Sequence, residues 1–326
     1  MTEKEYRAYD AINYSLLSKL SVSPVGLEGP KEERSYFTLG SLVDCLCTSP
    51  DDFNNDYYVM TVKKPTDMMV AYAMEYLKSS DHSEAQLVSG YKSDITIVAK
   101  TSKDGLSKWE KEGEPYYNAL IAGKGKQVVS FEEYTQAEQL ATILKTNQFT
   151  EMYFGGDKNL HQEAIIWKYD GKECKSLLDI VHIDDNNCTI RPMDLKTTGK
   201  SVFSFQSAYL SYKYYIQAKF YTDALIYAIE NNINDLGKYK DYEVLPFQFI
   251  VIETNYKNPP HIFEVSKEDM EIAAVGGIVQ GAGYEIKGYQ TIINNLEYHN
   301  TTNQWDYRQE IYENSGIISL NCLASA

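Results

Sequence analysis

The segment Arg191-Pro192-Met193-Asp194-Leu195-Lys196-Thr197-Thr198 sets a carboxylate and an ammonium two positions apart. In a strand, period two puts Asp194 and Lys196 on one face and Leu195 on the other, so opposite charges stand side by side. Asp179 interrupts the otherwise apolar run Ser176-Leu177-Leu178-Asp179-Ile180-Val181, and a buried carboxylate without a cationic partner is costly. Glu163 enters a third apolar stretch. Three carboxylates and one lysine are the groups that Mg²⁺-assisted phosphodiester hydrolysis requires. Hard oxygen ligands suit Mg²⁺ or Mn²⁺, the ion polarises a scissile phosphate and lowers the pKa of bound water, and lysine positions that water and offsets developing negative charge. A lone Asp-x-Lys also decorates many solvent-facing strands, so the elements around it decide its meaning.

Those elements follow from periodicity. Residues 162–168, 174–183 and 188–197 alternate or run apolar and are separated by Tyr169-Asp170-Gly171-Lys172 and Asp184-Asp185-Asn186-Asn187, which predicts an antiparallel three-stranded meander. Pairing through the second turn brings Asp179 near Asp194 around one metal ion. A long helix is expected from about Phe203 to Glu230, then a strand over 246–254, the turn Asn258-Pro259-Pro260 and a short strand over 261–265. Ser266 with Asp269 opens a final long helix to about Glu297. Upstream, Ile12, Leu16, Leu17 and Leu20 fall at helical spacing before Pro24, and 36–47 reads as a buried helix. Residues 66–150 read as helical and polar and carry no motif. Without repeats or an obvious linker, the expectation is a single domain over 1–310 with a tail over 311–326.

Gln217 and Tyr221 share one face of the expected long helix at spacing i, i+4. The order Asp179, then Asp194-Leu195-Lys196, then Gln217-x-x-x-Tyr221 resembles the RecB-like branch of the PD-(D/E)XK nucleases. The N-terminal Tyr14-Ser15-Leu16-Leu17-Ser18-Lys19-Leu20 with Ser23-Pro24, then Leu39-Gly40-Ser41-Leu42-Val43-Asp44 and Ser49-Pro50-Asp51-Asp52-Phe53 before Tyr57-Tyr58-Val59, is similar to the RecE-type exonuclease VIII family of phages and prophages, as is the late Trp305-Asp306-Tyr307. The likeness covers an N-terminal helical motif region over 10–60 and a catalytic core over 160–307, and leaves 66–150 as a helical insertion of unknown role.

The resemblance implies an α/β fold: a PD-(D/E)XK (restriction-endonuclease-like) core with a small mixed central sheet flanked by helices and an N-terminal helical region. It implies Asp179, Asp194 and the Leu195 carbonyl as metal ligands, Lys196 as the water-positioning group, Glu163 and Asp44 as supporting carboxylates, and Gln217 and Tyr221 steadying the site or the DNA end. Asp44 stands where that family usually carries a metal-holding His, and an Asp ligates Mg²⁺ as well. The implied activity is 5′-to-3′ exonucleolytic resection of linear double-stranded DNA ends, beside a RecT-like single-strand annealing protein, by a ring-like homo-oligomer. The alternatives are an endonuclease, restriction-type or CRISPR-adaptation-type nuclease on the same core, or a non-catalytic DNA-binding protein.

The remaining residues bound this reading. Five scattered cysteines without a C-x-x-C pair support neither a disulfide framework nor a zinc finger, and with only Cys322 late in the chain the iron–sulfur cluster of some RecB-like relatives is not expected. No apolar stretch is long enough for a membrane span, so the expected location is the cytoplasm of a bacterium or phage-infected cell. The net charge of −15 excludes a general basic coat for nucleic acid. Residues 158–219 nevertheless carry nine Lys and Arg against seven Asp and Glu, a local excess that suits one anionic-ligand site. His182 is expected on the strand face opposite Asp179 as a structural residue, His161 to be solvated, and Lys200, Lys213 and Lys219 to contact DNA backbone.

Overall fold

The computed structural model describes residues 1, 3–27, 35–79, 109–156, 158–279 and 285–318. The chain divides into two compact units, Met1–Gly40 with Leu140–Ala326, and Ser41–Gln139. The first unit opens with α1 (Glu3–Ala8) and α2 (Tyr14–Val22), and α3 (Ser35–Thr48) leads into the second. The second unit then holds β1 (Tyr57–Met60), α4 (Asp67–Ser79), α5 (Glu114–Ala122) and β2 (Gln127–Ser130), and α6 (Phe131–Thr146) leads back. The first unit continues with β3 (Asn159–Tyr169), β4 (Lys172–Asp184), β5 (Thr189–Thr198), α7 (Phe205–Ser211), α8 (Tyr214–Glu230), β6 (Glu243–Val244), β7 (Gln248–Glu253), β8 (His261–Glu264), α9 (Lys267–Val275), the hairpin β9 (Gly277–Ile278) and β10 (Glu285–Ile286), and α10 (Tyr289–Thr302).

The sheet of the first unit runs β3-β4-β5-β7-β8, with β6 also paired to β5. Its first three strands form the antiparallel meander, β5 and β7 are parallel, and β8 returns antiparallel, so the sheet is mixed. Local chemistry explains the turns. Asp170 and Gly171 both take positive φ (48° and 75°), as a tight two-residue hairpin turn demands, and glycine does so without a steric penalty. In the next turn the Asp184 carboxylate accepts from the backbone N–H of Asn186 and Asn187 at 3.0 and 3.3 Å. α2 starts where Asn13 caps the N–H of Leu16, and it buries Leu17 and Leu20.

α8 is buried nearly all round, including Ile216, Ala218, Phe220, Ala224, Leu225 and Ala228, and packs on the sheet to form the main core with Ile165, Trp167, Val181, Ile183, Phe249 and Val251. Two expected helices are broken. The helix expected over 203–230 is interrupted at Lys213, which takes φ 62° and ψ 33°, so α7 and α8 are separate. The one expected to run from 266 to 297 stops at Val275: Gly276 has φ 99°, and a Cβ on Gly288 would lie 2.2 Å from the Ala274 carbonyl oxygen. Only glycine admits that approach, and the β9–β10 hairpin fills the gap. Its tip, residues 280–284, lies outside the described residues.

The second unit corrects the all-helical reading of 66–150. β2 pairs in parallel with β1, Tyr57 opposite Gln127 through Met60 opposite Ser130. Beside this pair Tyr72, Tyr76, Trp109 and Tyr117 form an aromatic cluster with ring centroids 5.0–6.4 Å apart. Residues 80–108 of that region lie outside the described residues, as do most of the 26–34 loop, residues 319–326 of the expected tail and, with them, Cys322. No helix among the described residues is long and apolar enough to cross a membrane.

Candidate active site

β4 and β5 separate part-way along their length. They pair from Asp184–Thr189 as far as Ile180–Met193, and continuing that register by one residue sets Asp179 opposite Asp194. Beyond that point β4 turns to a different neighbour: Ile12 N–H donates to Glu173 O at 3.1 Å, and Lys175 N–H donates to Ile12 O at 2.7 Å. β5 continues alone beside β7 to Thr198. The two carboxylates therefore stand in the crotch of a fork.

Strand regularity lapses there too. Core positions fall at Cys174 and Leu178 before Asp179 but at Val181 and Ile183 after it, so the alternation changes phase. Gln162, across from Asp179 in the β3–β4 register, has φ 50°. In place of a ladder bond, the Asp179 Oδ2 accepts the N–H of Leu195 at 3.0 Å. The N–H and C=O of one strand residue leave on the same side, so the Leu195 carbonyl also faces the fork.

Asp194 is 2% exposed. Gln217 Nε2, from α8, donates to its Oδ1. Its Oδ2 makes an ion pair with Lys196 Nζ, whereas the buried Gln217 Oε1 has no hydrogen-bond partner. One oxygen acceptor, Gln217 Oε1, thus remains buried and unmatched beside Asp194, where such an atom is expensive. Lys196 Nζ also lies 4.8 Å from the centroid of the Tyr214 ring. Burial pulls the Lys196 ammonium toward neutrality, but the Asp194 carboxylate, then Tyr214, Asp179 and Tyr14, outweigh it and hold the group above the ordinary lysine value. Burial, with lesser contributions from Tyr6, Asp194 and Asp179, keeps the Tyr221 phenol protonated far past its usual range. The Tyr221 ring meets that of Tyr14 edge-on at 6.5 Å.

The structure thus brings together Asp179, Asp194, Leu195, Lys196, Gln217 and Tyr221. Glu163 is not gathered with them: its carboxylate accepts from Asn234 Nδ2 at 2.6 Å. Asp44 sits in the second unit near the end of α3, where its main-chain carbonyl accepts from Thr48 Oγ1 at 2.8 Å. No cluster of three or more His, Cys, Asp or Glu suited to a metal occurs among the described residues. His182 bonds Asn159 Oδ1 through Nδ1 at 2.8 Å, a structural contact. His161 is on β3 rather than in a loop, and its Nε2 is 2.9 Å from the Tyr153 carbonyl oxygen. Lys219 is paired with Asp223, which removes it from the expected phosphate contacts, whereas Lys200 is exposed. Sequence reading left Tyr14 and Tyr214 without a role. The signal for Tyr214 was its place at i, i+3, i+7 with Gln217 and Tyr221 on one helix face.

No family profile and no curated protein matches this chain. Among solved structures it is similar to the "Putative exonuclease" from Eubacterium rectale, with 12% identity and a TM-score of 0.48 over 99% of this chain and 96% of that one. It is also similar to the protein SSO0001, with 12% identity and a TM-score of 0.25 over 96% of each chain. Similarity at these levels assigns neither a family nor an activity.

Proposed function

We propose that this chain is a metal-dependent deoxyribonuclease with a PD-(D/E)XK core that hydrolyses phosphodiester bonds from the ends of linear double-stranded DNA. The observation that carries the reading is the β4–β5 fork, where Asp179 and Asp194 face each other and Lys196 projects beside them. The donor set fits a hard cation. Two carboxylates and the Leu195 carbonyl supply oxygen, and Mg²⁺ commonly takes only one or two carboxylates and completes its shell with water and substrate phosphate. When bound, Mg²⁺ or Mn²⁺ supplies charge to polarise the scissile phosphate and water of lowered pKa.

The chain's own groups do the rest. Asp179 holds the Leu195 backbone in place, Gln217 holds the Asp194 carboxylate, and Lys196, kept charged by that carboxylate, donates from Nζ to the attacking water and a phosphate oxygen. A lysine held protonated is a positioning cation, not a general base. Glu163, committed to Asn234, takes no part in the proposal. The proposed direction is 5′-to-3′, in phage-type recombination, with a RecT-like annealing partner and a homo-oligomer that retains its substrate.

The test is release of label from end-labelled linear duplex in Mg²⁺, Mn²⁺ and EDTA, with closed circular DNA alongside. We expect metal-dependent release from the linear substrate only, lowered about a hundredfold or more in Lys196→Ala and Asp194→Ala, the scale of losing one stabilising group in an active site. Cutting of closed circles would favour the endonuclease reading. Folded wild-type protein that cuts neither substrate with either metal would sink the catalytic reading in favour of a DNA-binding protein.

A further inference from the structure

We propose that Tyr212 is a nucleobase-stacking residue that holds a single-stranded DNA end next to the reacting phosphate; the inference rests on the nuclease reading above and names the substrate form that the site takes. Tyr212 is 56% exposed, and its hydroxyl makes no hydrogen bond among the described residues. An exposed tyrosine is ordinary by itself. Three features set this one apart.

The backbone beneath it is clamped. Tyr14 Oη donates to the Tyr212 carbonyl at 2.5 Å, and Ser18 Oγ donates to the same oxygen at 3.4 Å. The next residue, Lys213, takes the left-handed conformation that separates α7 from α8, so the corner is pinned from one side by α2 and from the other by the buried α8. A ring on a fixed corner loses little freedom when it stacks, whereas a ring on a mobile loop must be ordered first.

Next, the ring is joined to the site. Tyr212 lies 5.6 Å from the Tyr214 ring at an interplanar angle of 35°, and Tyr214 is the ring over which Lys196 Nζ sits at 4.8 Å. A strand that rises roughly 3.4 Å per nucleotide spans that path in about three nucleotides. Base and phosphate of one short single strand therefore reach Tyr212 and Lys196 together.

Finally, the charge is right. Lys213, the next residue in the chain, makes no ion pair among the described residues, in a protein whose net charge is −15. Aromatic rings interleaved with lysines are what single strands bind through stacking and phosphate contact. Duplex DNA keeps its base faces covered, so this surface selects a frayed or overhanging end.

The experiment uses the full chain and a duplex with a short single-stranded overhang containing 2-aminopurine, whose fluorescence falls on stacking. Binding is read in EDTA and steady-state cleavage in Mg²⁺. Quenching is expected with wild type and Tyr212→Phe and lost in Tyr212→Ala and in Tyr212→Leu, which keeps bulk without a π face. The latter two should raise KM about tenfold with kcat within about twofold, the scale of one lost base–aromatic stack. Phe203→Ala removes another exposed ring, 71% exposed and packed on His261, and should match wild type. If wild type cuts but does not quench the probe, or if Tyr212→Ala quenches and cuts like wild type, the stacking role is wrong and the nuclease reading stands. If wild type neither cuts nor binds, the nuclease reading falls and takes this inference with it.

Discussion

Lys196 owes its charge to its neighbours. Burial alone would depress its pKa, but the carboxylate of Asp194, reinforced by Asp179, raises it instead. The sign is therefore that of a cation gaining partners. The stabilisation is fully present below the unfolded lysine value of about 10.4 and is lost only as pH rises through the higher folded value. Nothing in the neutral range should discharge the group. Asp194→Asn removes the main opposing charge and leaves burial to act. NMR observation of the Lys196 ammonium should find it protonated at pH 10 in wild type and titrating at lower pH in Asp194→Asn. An ammonium that titrates at the same pH in both proteins would mean that Asp194 does not set its charge.

At the scale of elements, the site depends on keeping β4 and β5 apart. The wedge is the N-terminal segment, whose Ile12 occupies the β4 edge that β5 leaves. Lys175, only 6% exposed, holds that segment: its Nζ donates to the carbonyls of Tyr6 at 2.9 Å and Tyr9 at 2.5 Å, at the end of α1, and lies 4.9 Å from the Tyr6 ring centroid. A lysine so placed satisfies carbonyls that a helix end leaves without partners. Lys175→Ala should cost about 1–3 kcal/mol, the range for buried acceptors left unmatched. Urea unfolding measures it, and a loss below about 0.5 kcal/mol would assign the clamp no energetic role. On the other side of the fork Glu253, 1% exposed, accepts from Val202 N–H, Lys257 N–H and both nitrogens of Asn258. One carboxylate so braces the loops that follow β5 and β7.

For the molecule as a whole, electrostatics limit how DNA is held. A protein of charge −15 cannot grip a polyanion through its general surface, so binding is confined to the region where lysines gather. With Lys219 committed to Asp223, Lys196, Lys200 and Lys213 remain as proposed phosphate contacts. Each contact contributes roughly −0.9 to the slope of log K against log salt on duplex, which predicts a slope of about −3. Removing Lys200 or Lys213 should flatten it by about one. A slope several units steeper, measured by fluorescence anisotropy, would mean that DNA runs over a surface not assigned here.

Much was legible in one dimension because strand chemistry is local. Period two put Asp194 and Lys196 together, Asp170-Gly171 and Asp184 to Asn187 marked the turns, and those turns set the register that places Asp179 opposite Asp194. The chemistry of the candidate site was therefore readable from residue types and spacing. Tertiary structure decided the rest. Glu163 shares the meander, but Asn234, 71 positions away, claims its carboxylate, and no periodicity encodes such a partner. The break at Lys213 is invisible to hydrophobic patterning because α7 and α8 keep helical spacing on both sides of one left-handed residue. The fork is bounded by residues near the N-terminus, which reach β4 across more than 160 positions and take the part of its edge that β5 leaves. A strand's sequence specifies which side chains share a face; which neighbour takes each edge depends on the competition among distant segments for the same backbone hydrogen bonds.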